Sequence, residues 1–564
     1  MGAMMAGLRS FIVRLLDSEE NVGPTSSVQA QTRGILARSR HILPAQLLEG
    51  LLRLSKALIV ATSNVRYRQP HADVLRGPAL RLSTHTDAAV AIAACNVLSV
   101  VAKTATAASA TRYRRCGVTS GGQLLIEEDL ANQAAIDNII IRLDDVALDP
   151  ESVVQAWEAL STLLSNDPAS FGEHREVLLE ILRKHVSTSA QVQRQACQAF
   201  LATQLSLSLG SAQFGSCRTA FLEVLESGAT DQSPLVRAET VQPLTAFLSL
   251  ELEMTNIETA EHFASLSALQ LLTKLIHDEQ ATVQAAAVRA VGVLLVSPHR
   301  NTQGKALCKC ASRIVSYAIG HLAGCVENPA LIVQLRLSWS VGNLCQILAE
   351  SVTSEKAAAP DQERAILNES RWLSLLALTS SMIAQDERVR VNAVRGCGLL
   401  LSAARGEWLE AHASLATDSL SKTMEASHRA QNPKLRWNGA NAVATAFSSG
   451  DLRSWTTRVF SPSSPAASLA SRVYDCLSKE LASKIFKVKL AAIQGMLQAK
   501  IVDEVGGQTM LKEVVLPRVL SAQRMIQGEI NEASFREAQL HGEACKNGLH
   551  KLETHVNELI RSLE

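Results

Sequence analysis

The sequence predicts an all-α protein, an α-solenoid built of stacked helical hairpins. Hydrophobic residues make up 47% of the 564 residues but aromatic residues only 4%, so the apolar content is mostly Ala, Leu and Val, which pack helix against helix. A ten-residue pattern also recurs along the chain, and an amphipathic run precedes each copy. Because one helical hairpin cannot bury its apolar face alone, we expect repeated hairpins to stack into an elongated superhelix.

The repeated pattern occurs seven times. Successive copies start 44, 47, 52, 54, 46 and 53 residues apart, close to the roughly 40 to 47 residues of HEAT and armadillo repeats, with loop insertions accounting for the excess. In each copy the first residue is Val or Leu and the second is Gln, Arg or Lys, and the first, fifth and eighth residues share one helical face. The copies are "VQRQACQAFL" from Val192, "VRAETVQPLT" from Val236, "VQAAAVRAVG" from Val283, "LRLSWSVGNL" from Leu335, "VRVNAVRGCG" from Val389, "LRWNGANAVA" from Leu435 and "VKLAAIQGML" from Val488.

Residues that stop and start helices separate the two halves of each unit. The segments "DQSP", "DEQAT", "QDER" and "QNP" directly precede or begin four of the copies, from residues 231, 278, 385 and 431. Asp and Asn cap helix N-termini, and Pro suits the first helical position. The predicted unit is therefore helix, short turn, helix.

The net charge of +1 is unevenly distributed along the chain. Residues 1–120 carry 15 Lys and Arg against 6 Asp and Glu, a net charge of +9, which leaves −8 for residues 121–564. We predict a basic N-terminal helical region over 1–120, a HEAT/armadillo-like repeat array over 121–500 and a C-terminal helical cap over 501–564, in one continuous solenoid.

Cysteine usage indicates a reducing compartment. Eleven cysteines are scattered without paired spacing, mostly within apolar helical patterns, as is typical of buried free thiols. No apolar run reaches the roughly 20 residues that a membrane-spanning helix needs. Acidic residues at 17, 19 and 20 follow the apolar N-terminal patch and argue against a mitochondrial presequence. We therefore predict an intracellular protein of the cytoplasm or nucleus, with no membrane span.

Three successive copies carry a resemblance to a known family. "LRLSWSVGNL", "VRVNAVRGCGLLL" and "LRWNGANAVATAF", in this order, resemble signature repeats of the HEAT-repeat-containing protein six family. Residues 63–103, "SNVRYRQPHADVLRGPALRLSTHTDAAVAIAACNVLSVVAK", are similar to that family's domain of unknown function. The resemblance implies an armadillo-type helical scaffold with no established catalytic activity. Members of that family are longer than this chain.

Sequence motifs give no support for catalysis or a metal. The sequence has no GxSxG, HExxH, P-loop or kinase signature, each of which marks a specific chemistry. Cys308, Cys310, His321 and Cys325 are the one candidate zinc cluster, but Cys308 and Cys310 would point about 200° apart on a helix. We therefore expect ordinary core cysteines, no enzyme activity, and no metal, cofactor or small-molecule ligand.

The second position of the repeats supplies the first set of candidate site residues. It is occupied by Arg237, Arg336, Arg390, Arg436 and Lys489, with Gln193 and Gln284 completing the series. Because equivalent positions align in a superhelix, these side chains either form a basic ladder for an acidic or extended partner peptide or brace the turns of neighbouring repeats. Bracing is the favoured interpretation.

Further candidates lie outside this ladder. The cluster "TRYRRC" places Arg112, Tyr113, Arg114 and Arg115 together as a candidate contact to nucleic acid or another anion, although a single basic cluster in a loop is usually only solvated. Trp339 and Trp437 are predicted to fill the core. Residues 448–468 are rich in Ser and Pro and are predicted to form a loop between helices.

Two functions remain compatible with these observations. The first is a non-catalytic scaffold whose concave groove binds protein partners, which follows from a solenoid without a catalytic motif. The alternative is a karyopherin-like or nucleic-acid-associated adaptor that uses the basic N-terminal third. The near-neutral total charge makes nucleic acid the less favoured partner.

Overall fold

The computed structural model describes most of the chain and shows the predicted all-α solenoid. The described residues are 45–61, 65–113, 122–145, 148–166, 168–188, 190–207, 211–254, 266–301, 307–355, 366–461, 464–483, 485–499, 511–536, 550 and 553–561. Residue contacts divide the chain into unit 1, Met1–Met254, and unit 2, Thr255–Glu564. The proposed borders at residues 120 and 500 adjoin residues outside the described ranges and stay predictions.

The helices of unit 1 alternate between two layers. They are α1 (Ala45–Ala61), α2 (Val65–Leu82), α3 (Ala88–Tyr113), α4 (Gly122–Leu143), α5 (Pro150–Asn166), α6 (Pro168–Val186), α7 (Gln191–Leu207), α8 (Ser211–Ala229) and α9 (Pro234–Met254). Helices α1, α3, α5, α7 and α9 pack against one another in this order and form one layer, which we name the inner layer, while α2, α4, α6 and α8 form the second, which we name the outer layer. Each inner helix thus buries side chains against an outer helix and against the inner helices beside it.

Unit 2 repeats this arrangement with a few additional elements. It contains α10 (Ser267–Ile276), α11 (Ala281–Asn301), α12 (Leu307–Ala323), α13 (Leu331–Glu355), α14 (Glu369–Ile383), α15 (Glu387–Ala403), α16 (Gly406–Ala411), α17 (Ala413–Arg429), α18 (Pro433–Ala446), α19 (Gly450–Arg458), β1 (Phe460–Ser461), β2 (Ser464–Ser468), α20 (Leu469–Glu480), α21 (Phe486–Ala499), a π-helical turn (Leu511–Val515) and α22 (Leu516–Arg536). The inner layer is α11, α13, α15, α18 and α21, and α10, α12, α14, α17 and α20 form the outer layer. A last described helix covers 553–561.

The predicted turn residues cap the inner helices. The carboxylate of Asp386 accepts a hydrogen bond from the backbone N–H of Arg388 at 2.9 Å before α15. The Asn432 side chain accepts one from Lys434 N–H at 2.9 Å, with Pro433 as the first residue of α18. These bonds satisfy N–H groups that have no partner within the helix. The helix, turn, helix unit is therefore confirmed at these copies.

Small residues allow neighbouring inner helices to approach closely. A Cβ added to Gly292 of α11 would lie 2.9 Å from Cα of Ser340 in α13, and one added to Gly495 of α21 would lie 3.4 Å from Cα of Ala444 in α18. These glycines therefore act by leaving out a side chain where two helix backbones meet. The inner layer depends on this spacing at several of its interfaces.

Cysteine placement agrees with the thiol prediction. The seven cysteines whose side chains the structure describes are all free, and six of them are buried: Cys95, Cys197, Cys217, Cys325, Cys345 and Cys397. Burial raises the pKa of the Cys95 thiol to about 12, which keeps it protonated and unreactive. Within the described ranges, no helix is long and apolar enough to cross a membrane.

The prediction of a loop over 448–468 is wrong. This segment forms α19 and then the antiparallel strands β1 and β2. Ser449 caps α19 by accepting a hydrogen bond from Leu452 N–H, and Leu452 and Trp455 are fully buried. Burial of these two side chains stabilises a short helix that its Gly, Ser and Thr residues alone do not favour.

We expect Gly398→Ala to destabilise unit 2. The new Cβ would lie 2.7 Å from both Cα and Cβ of Ala442 in the neighbouring helix, and such overpacking costs about 1–3 kcal/mol. Urea unfolding followed by circular dichroism measures the change. Gly320→Ala in α12 is the control, because no atom lies within 4 Å of its added Cβ; equal unfolding midpoints for the two variants would contradict the close approach.

Candidate functional site

A pocket opens on the inner layer of unit 1. Its volume is about 990 Å³, and its lining comes from the inner helices α1, α3, α5, α7 and α9 and from Asp149, which precedes α5. Trp157 and Phe200 pack at its base with ring centroids 4.5 Å apart. Val192, which is 48% exposed, lies at its edge. We call this surface the unit 1 pocket.

A buried histidine fixes the indole of Trp157. The Trp157 Nε1–H donates to Nδ1 of His185 at 3.1 Å, and Nε2 of His185 lies 3.0 Å from the carbonyl oxygen of Leu143. Neutral imidazole protonated at Nε2 satisfies both contacts, since one ring nitrogen accepts while the other donates. Burial lowers the pKa of His185, and the positive charge of Lys184 adds to this effect.

Carboxylates surround the apolar base of the pocket. The lining contains four acids, Asp149, Glu151, Glu158 and Glu239, and one base, Lys56. Glu151 and Glu158 are paired with basic residues of α1, at 3.0 Å from Arg53 and 3.5 Å from Lys56. Glu239 is half-buried, has no hydrogen bond or ion pair to a described residue, and has its pKa raised by burial. The pocket thus contains an uncompensated acidic group next to an apolar surface.

Several polar side chains at the fourth position of the inner helices fold back onto the preceding turn. Arg237 of α9 donates to the carbonyl oxygens of Asp231 and Gln232 at 2.9 and 3.1 Å. Arg390 of α15 donates to the carbonyl oxygen of Gln385 at 2.6 Å. These bonds satisfy carbonyl groups of the turn that follows the first helix of the hairpin.

Other members of this series link consecutive repeats. Arg436 of α18 donates to the buried carboxylate of Glu480 at 2.6 and 3.1 Å, and His428 lies 3.0 Å from the other oxygen of the same carboxylate. Gln284 of α11 accepts a hydrogen bond of 2.7 Å from the side chain of Asn328. Lys489 of α21 is 3% exposed. The partner-binding and bracing interpretations of these residues remain predictions.

Two copies have a different register in the structure. Counted from the first residue of each helix, the fourth position is Arg194 in α7 and Gln334 in α13, instead of Gln193 and Arg336. Arg194 forms a two-pronged ion pair with Asp231, at 2.6 and 3.1 Å, and Gln334 donates to the carbonyl oxygen of Asn328 at 2.8 Å. Arg336 is exposed and has no hydrogen bond or ion pair to a described residue. Where the helix begins, which a degenerate motif does not fix, decides the register.

The remaining candidates are only partly placed. Arg112 and Tyr113 are the last two residues of α3, but the structure does not describe their side chains. Arg114 and Arg115 lie outside the described residues. The side chains of Cys308 and Cys310 are likewise outside it. His321 packs against Tyr317 with ring centroids 4.4 Å apart, and the described residues contain no group of three or more His, Cys, Asp or Glu able to hold a metal.

Trp339 and Trp437 differ from the core prediction. Both are half-buried on inner helices of unit 2, with Arg289 Cζ 5.8 Å from the ring centroid of Trp339 and Lys487 Nζ 5.5 Å from that of Trp437. The face of an inner helix that turns away from the outer layer stays accessible, so an aromatic residue there packs a cation instead of core side chains.

Comparison with known proteins identifies the fold. No family model matches the chain. The chain is similar to the karyopherin Kap121p bound to the extreme C-terminus of the protein phosphatase Cdc14p, with 12% identity, a TM-score of 0.50 and coverage of 99% of this chain and 50% of that one. For Kap121p bound to the SUMO protease Ulp1p the identity is 12%, the TM-score 0.51 and the coverage again 99% and 50%. The chain spans about half the length of these karyopherins and shares their HEAT/armadillo-type solenoid fold.

We expect the ion pair between Arg194 and Asp231 to stabilise unit 1. Their side chains are 15% and 9% exposed, and removing one partner of a buried pair costs about 3–5 kcal/mol. Asp231→Asn should therefore lower the free energy of unfolding by several kcal/mol in urea titrations. Glu223→Gln is the control: it breaks the pair with Arg183, whose members are 52% and 50% exposed, and should cost less than about 1 kcal/mol.

We expect acid to destabilise unit 1 through His185. Its folded-state pKa is lowered, so the folded protein binds fewer protons than the unfolded chain. The stabilisation by neutral imidazole is therefore complete above the unfolded pKa of about 6.5 and is lost as the pH falls below it. Unfolding midpoints at pH 7.5 and 5.0 measure this loss, which His185→Gln should reduce. His550→Gln, at an exposed site, should keep the wild-type pH dependence; an undiminished loss in His185→Gln would contradict the assignment.

Proposed function

We propose that this chain is a non-catalytic scaffold of the HEAT/armadillo type that holds a segment of a partner protein in the unit 1 pocket. The observation that carries the proposal is a pocket of about 990 Å³ that runs over five successive inner helices and combines an apolar base with an uncompensated acid. Helical repeats commonly bind extended segments across such a surface, because every repeat adds equivalent contacts along it.

The lining specifies what the partner segment carries. Trp157, Phe200 and the exposed Val192 supply apolar surface, which an aliphatic side chain or the stem of a Lys or Arg would cover. The half-buried carboxylate of Glu239 lacks a counter-ion among the described residues, and a cationic group from the partner would supply one. The segment therefore contains a Lys or Arg beside an apolar residue.

The compared structures and the family resemblance support a scaffold role. In both compared structures Kap121p is bound to a protein, the extreme C-terminus of Cdc14p or Ulp1p. Membership of the HEAT-repeat-containing protein six family, a location in the cytoplasm or nucleus and the absence of enzyme activity belong to the same proposal.

The alternative is a karyopherin-like or nucleic-acid-associated adaptor. It is favoured by the net charge of +9 over residues 1–120 and would depend on ionic contacts. Such contacts weaken steeply with salt, whereas burial of apolar surface does not. Affinity purification of the full chain at 0.1 and 0.5 M salt separates the two. A protein partner retained at high salt supports the scaffold, and anionic material that is lost at high salt supports the adaptor.

We expect Val192→Arg to abolish retention of the partner segment. Its bulk and positive charge would occupy the pocket edge and repel a basic segment. Val177→Arg on α6 is the matched control, because Val177 is 47% exposed and does not line the pocket. Quantitative capture of the same partner by the two variants and the wild type measures the effect.

A second substitution tests the charge of the site. Glu239→Gln keeps the shape of the side chain and removes its charge, so it should weaken partner binding while leaving the unfolding midpoint of the free chain unchanged or higher, since no ion pair is lost. Equal partner retention by wild type, Val192→Arg and Glu239→Gln would place the binding site elsewhere.

A further inference from the structure

The inner layer of unit 2 carries a large excess of positive charge. The described side chains of its five helices include nine Lys or Arg and two Glu. The basic residues are one each on α11 and α13, three on α15 and two each on α18 and α21. Of the two acids, Glu387 is the first residue of α15, and Glu350 lies in the C-terminal half of α13, where it accepts a hydrogen bond from Gln346. This excess is local, since the whole chain has a net charge of only +1.

One basic residue on every inner helix has no carboxylate partner. These five residues are Arg289 on α11, Arg336 on α13, Arg395 on α15, Lys434 on α18 and Lys487 on α21. None of them forms an ion pair with a described carboxylate. Other basic residues of the same layer do have carboxylate partners: Arg388 pairs with Asp386 and Arg436 with Glu480. We call these five residues the unit 2 cation row.

Arg395 is the most constrained member of the row. Its Nη2 donates to the side-chain oxygens of Asn343 at 3.0 Å and Gln346 at 3.3 Å on α13. Both partners are neutral amides, and its Nε is buried without any hydrogen-bond partner. Burial lowers the pKa of this guanidinium. Arg395 is thus held in one place and partly desolvated without an anion, an arrangement in which an added carboxylate would bind strongly.

Aromatic residues orient two further members. Arg289 and Lys487 lie over the half-buried rings of Trp339 and Trp437. A ring face holds a cation without neutralising it, because the attraction comes from the quadrupole of the ring. Lys434 and Arg336 are exposed. The row therefore presents positive charge that is partly fixed in position and that nothing in the described part of unit 2 neutralises.

We propose that the unit 2 cation row docks an acidic, extended segment of a partner protein. Neighbouring helix axes lie about 9 Å apart, and the cations are the ninth, sixth, ninth, second and second residues of their helices, so they are offset by up to about 10 Å along the helices. The path through all five is therefore about 43 Å, which roughly 13 residues of an extended chain would cross. One acidic residue at about every third position would then meet one cation on each helix. This surface is separate from the unit 1 pocket, and its charge has the opposite sign.

The spacing of the cations favours a peptide over a nucleic acid. A single nucleic-acid strand carries a phosphate about every 3.4 Å in duplex geometry, so cations on helices about 9 Å apart would neutralise only about one phosphate in three. Carboxylates on a peptide can occur at the spacing of the helices.

Fluorescence anisotropy with the full chain tests the proposal. The probes are a labelled 12-residue peptide with Glu at every third position among Ser, Gly and Leu, the same peptide with Lys for Glu, and a labelled 12-nucleotide DNA strand. Arg336→Glu and Lys434→Glu replace exposed residues without ion pairs and therefore preserve the fold. Arg524→Glu is the matched control, since Arg524 is exposed, belongs to unit 2 and lies on α22 outside the inner layer.

The expected result is saturable binding of the acidic peptide that weakens with salt. Arg336→Glu and Lys434→Glu should each lower the affinity by about tenfold, whereas Arg524→Glu should change it by less than about twofold. Arg395→Gln should weaken binding most, and its circular dichroism spectrum would show that it stays folded. Val192→Arg should leave the affinity for the acidic peptide unchanged, because Val192 belongs to the unit 1 pocket. The proposals for unit 1 and unit 2 can therefore fail independently.

Two results would overturn the proposal. The first is equal affinity of the wild type, Arg336→Glu and Lys434→Glu for the acidic peptide, or preference for the Lys peptide. The second is tighter binding of the DNA strand than of the acidic peptide with the same dependence on Arg336 and Lys434, which would assign the row to nucleic acid.

Discussion

The close approach of consecutive inner helices is the constraint on which the rest of unit 2 depends. A hairpin of this chain has an apolar face that only the next hairpin covers, and the two backbones come near enough at Gly292, Gly398 and Gly495 that a single Cβ would clash or press against the neighbour. Because packed interiors tolerate little change in volume, these contacts fix the spacing and the register of the whole layer.

The turns between the helices satisfy backbone groups that the helices leave without partners. Each inner helix begins with backbone N–H groups that lack partners within that helix, and the turn before it contains carbonyl groups that belong to no helix. Caps such as Asp386 and Asn432 satisfy the first set, and Arg237, Gln334 and Arg390 satisfy part of the second. The buried carboxylate of Glu480 goes further, because it joins Arg436 and His428 on preceding helices to its own repeat.

Once the turns are satisfied locally, the accessible sides of the inner helices are left to vary. In unit 1 this side carries a pocket with an apolar floor, one basic residue and four acidic residues, although residues 1–120 have a net charge of +9. In unit 2 it carries a cation without a carboxylate partner on each of five helices. Local charge at a binding surface is therefore set by which face of a helix a residue occupies, and totals over long segments do not report it. A scaffold with two oppositely charged surfaces would select two kinds of segment.

The sequence by itself determined the all-α class, the helical hairpin as the repeating unit and the capping residues of its turns. These features follow from the apolar and small residues of each helix and from the Asp, Asn or Pro before it, all of which act within their own helix or turn. Only the tertiary structure decided the register of Gln334 and Arg194, the helix in 448–468, the half-buried positions of Trp339 and Trp437, and the pocket formed around Trp157 and Glu239. The Gln334 register depends on where α13 begins and on local bonds to the preceding turn. The other features depend on contacts roughly 40 to 50 residues apart in sequence, and a periodic pattern within one helix carries no information about which neighbour will cover it.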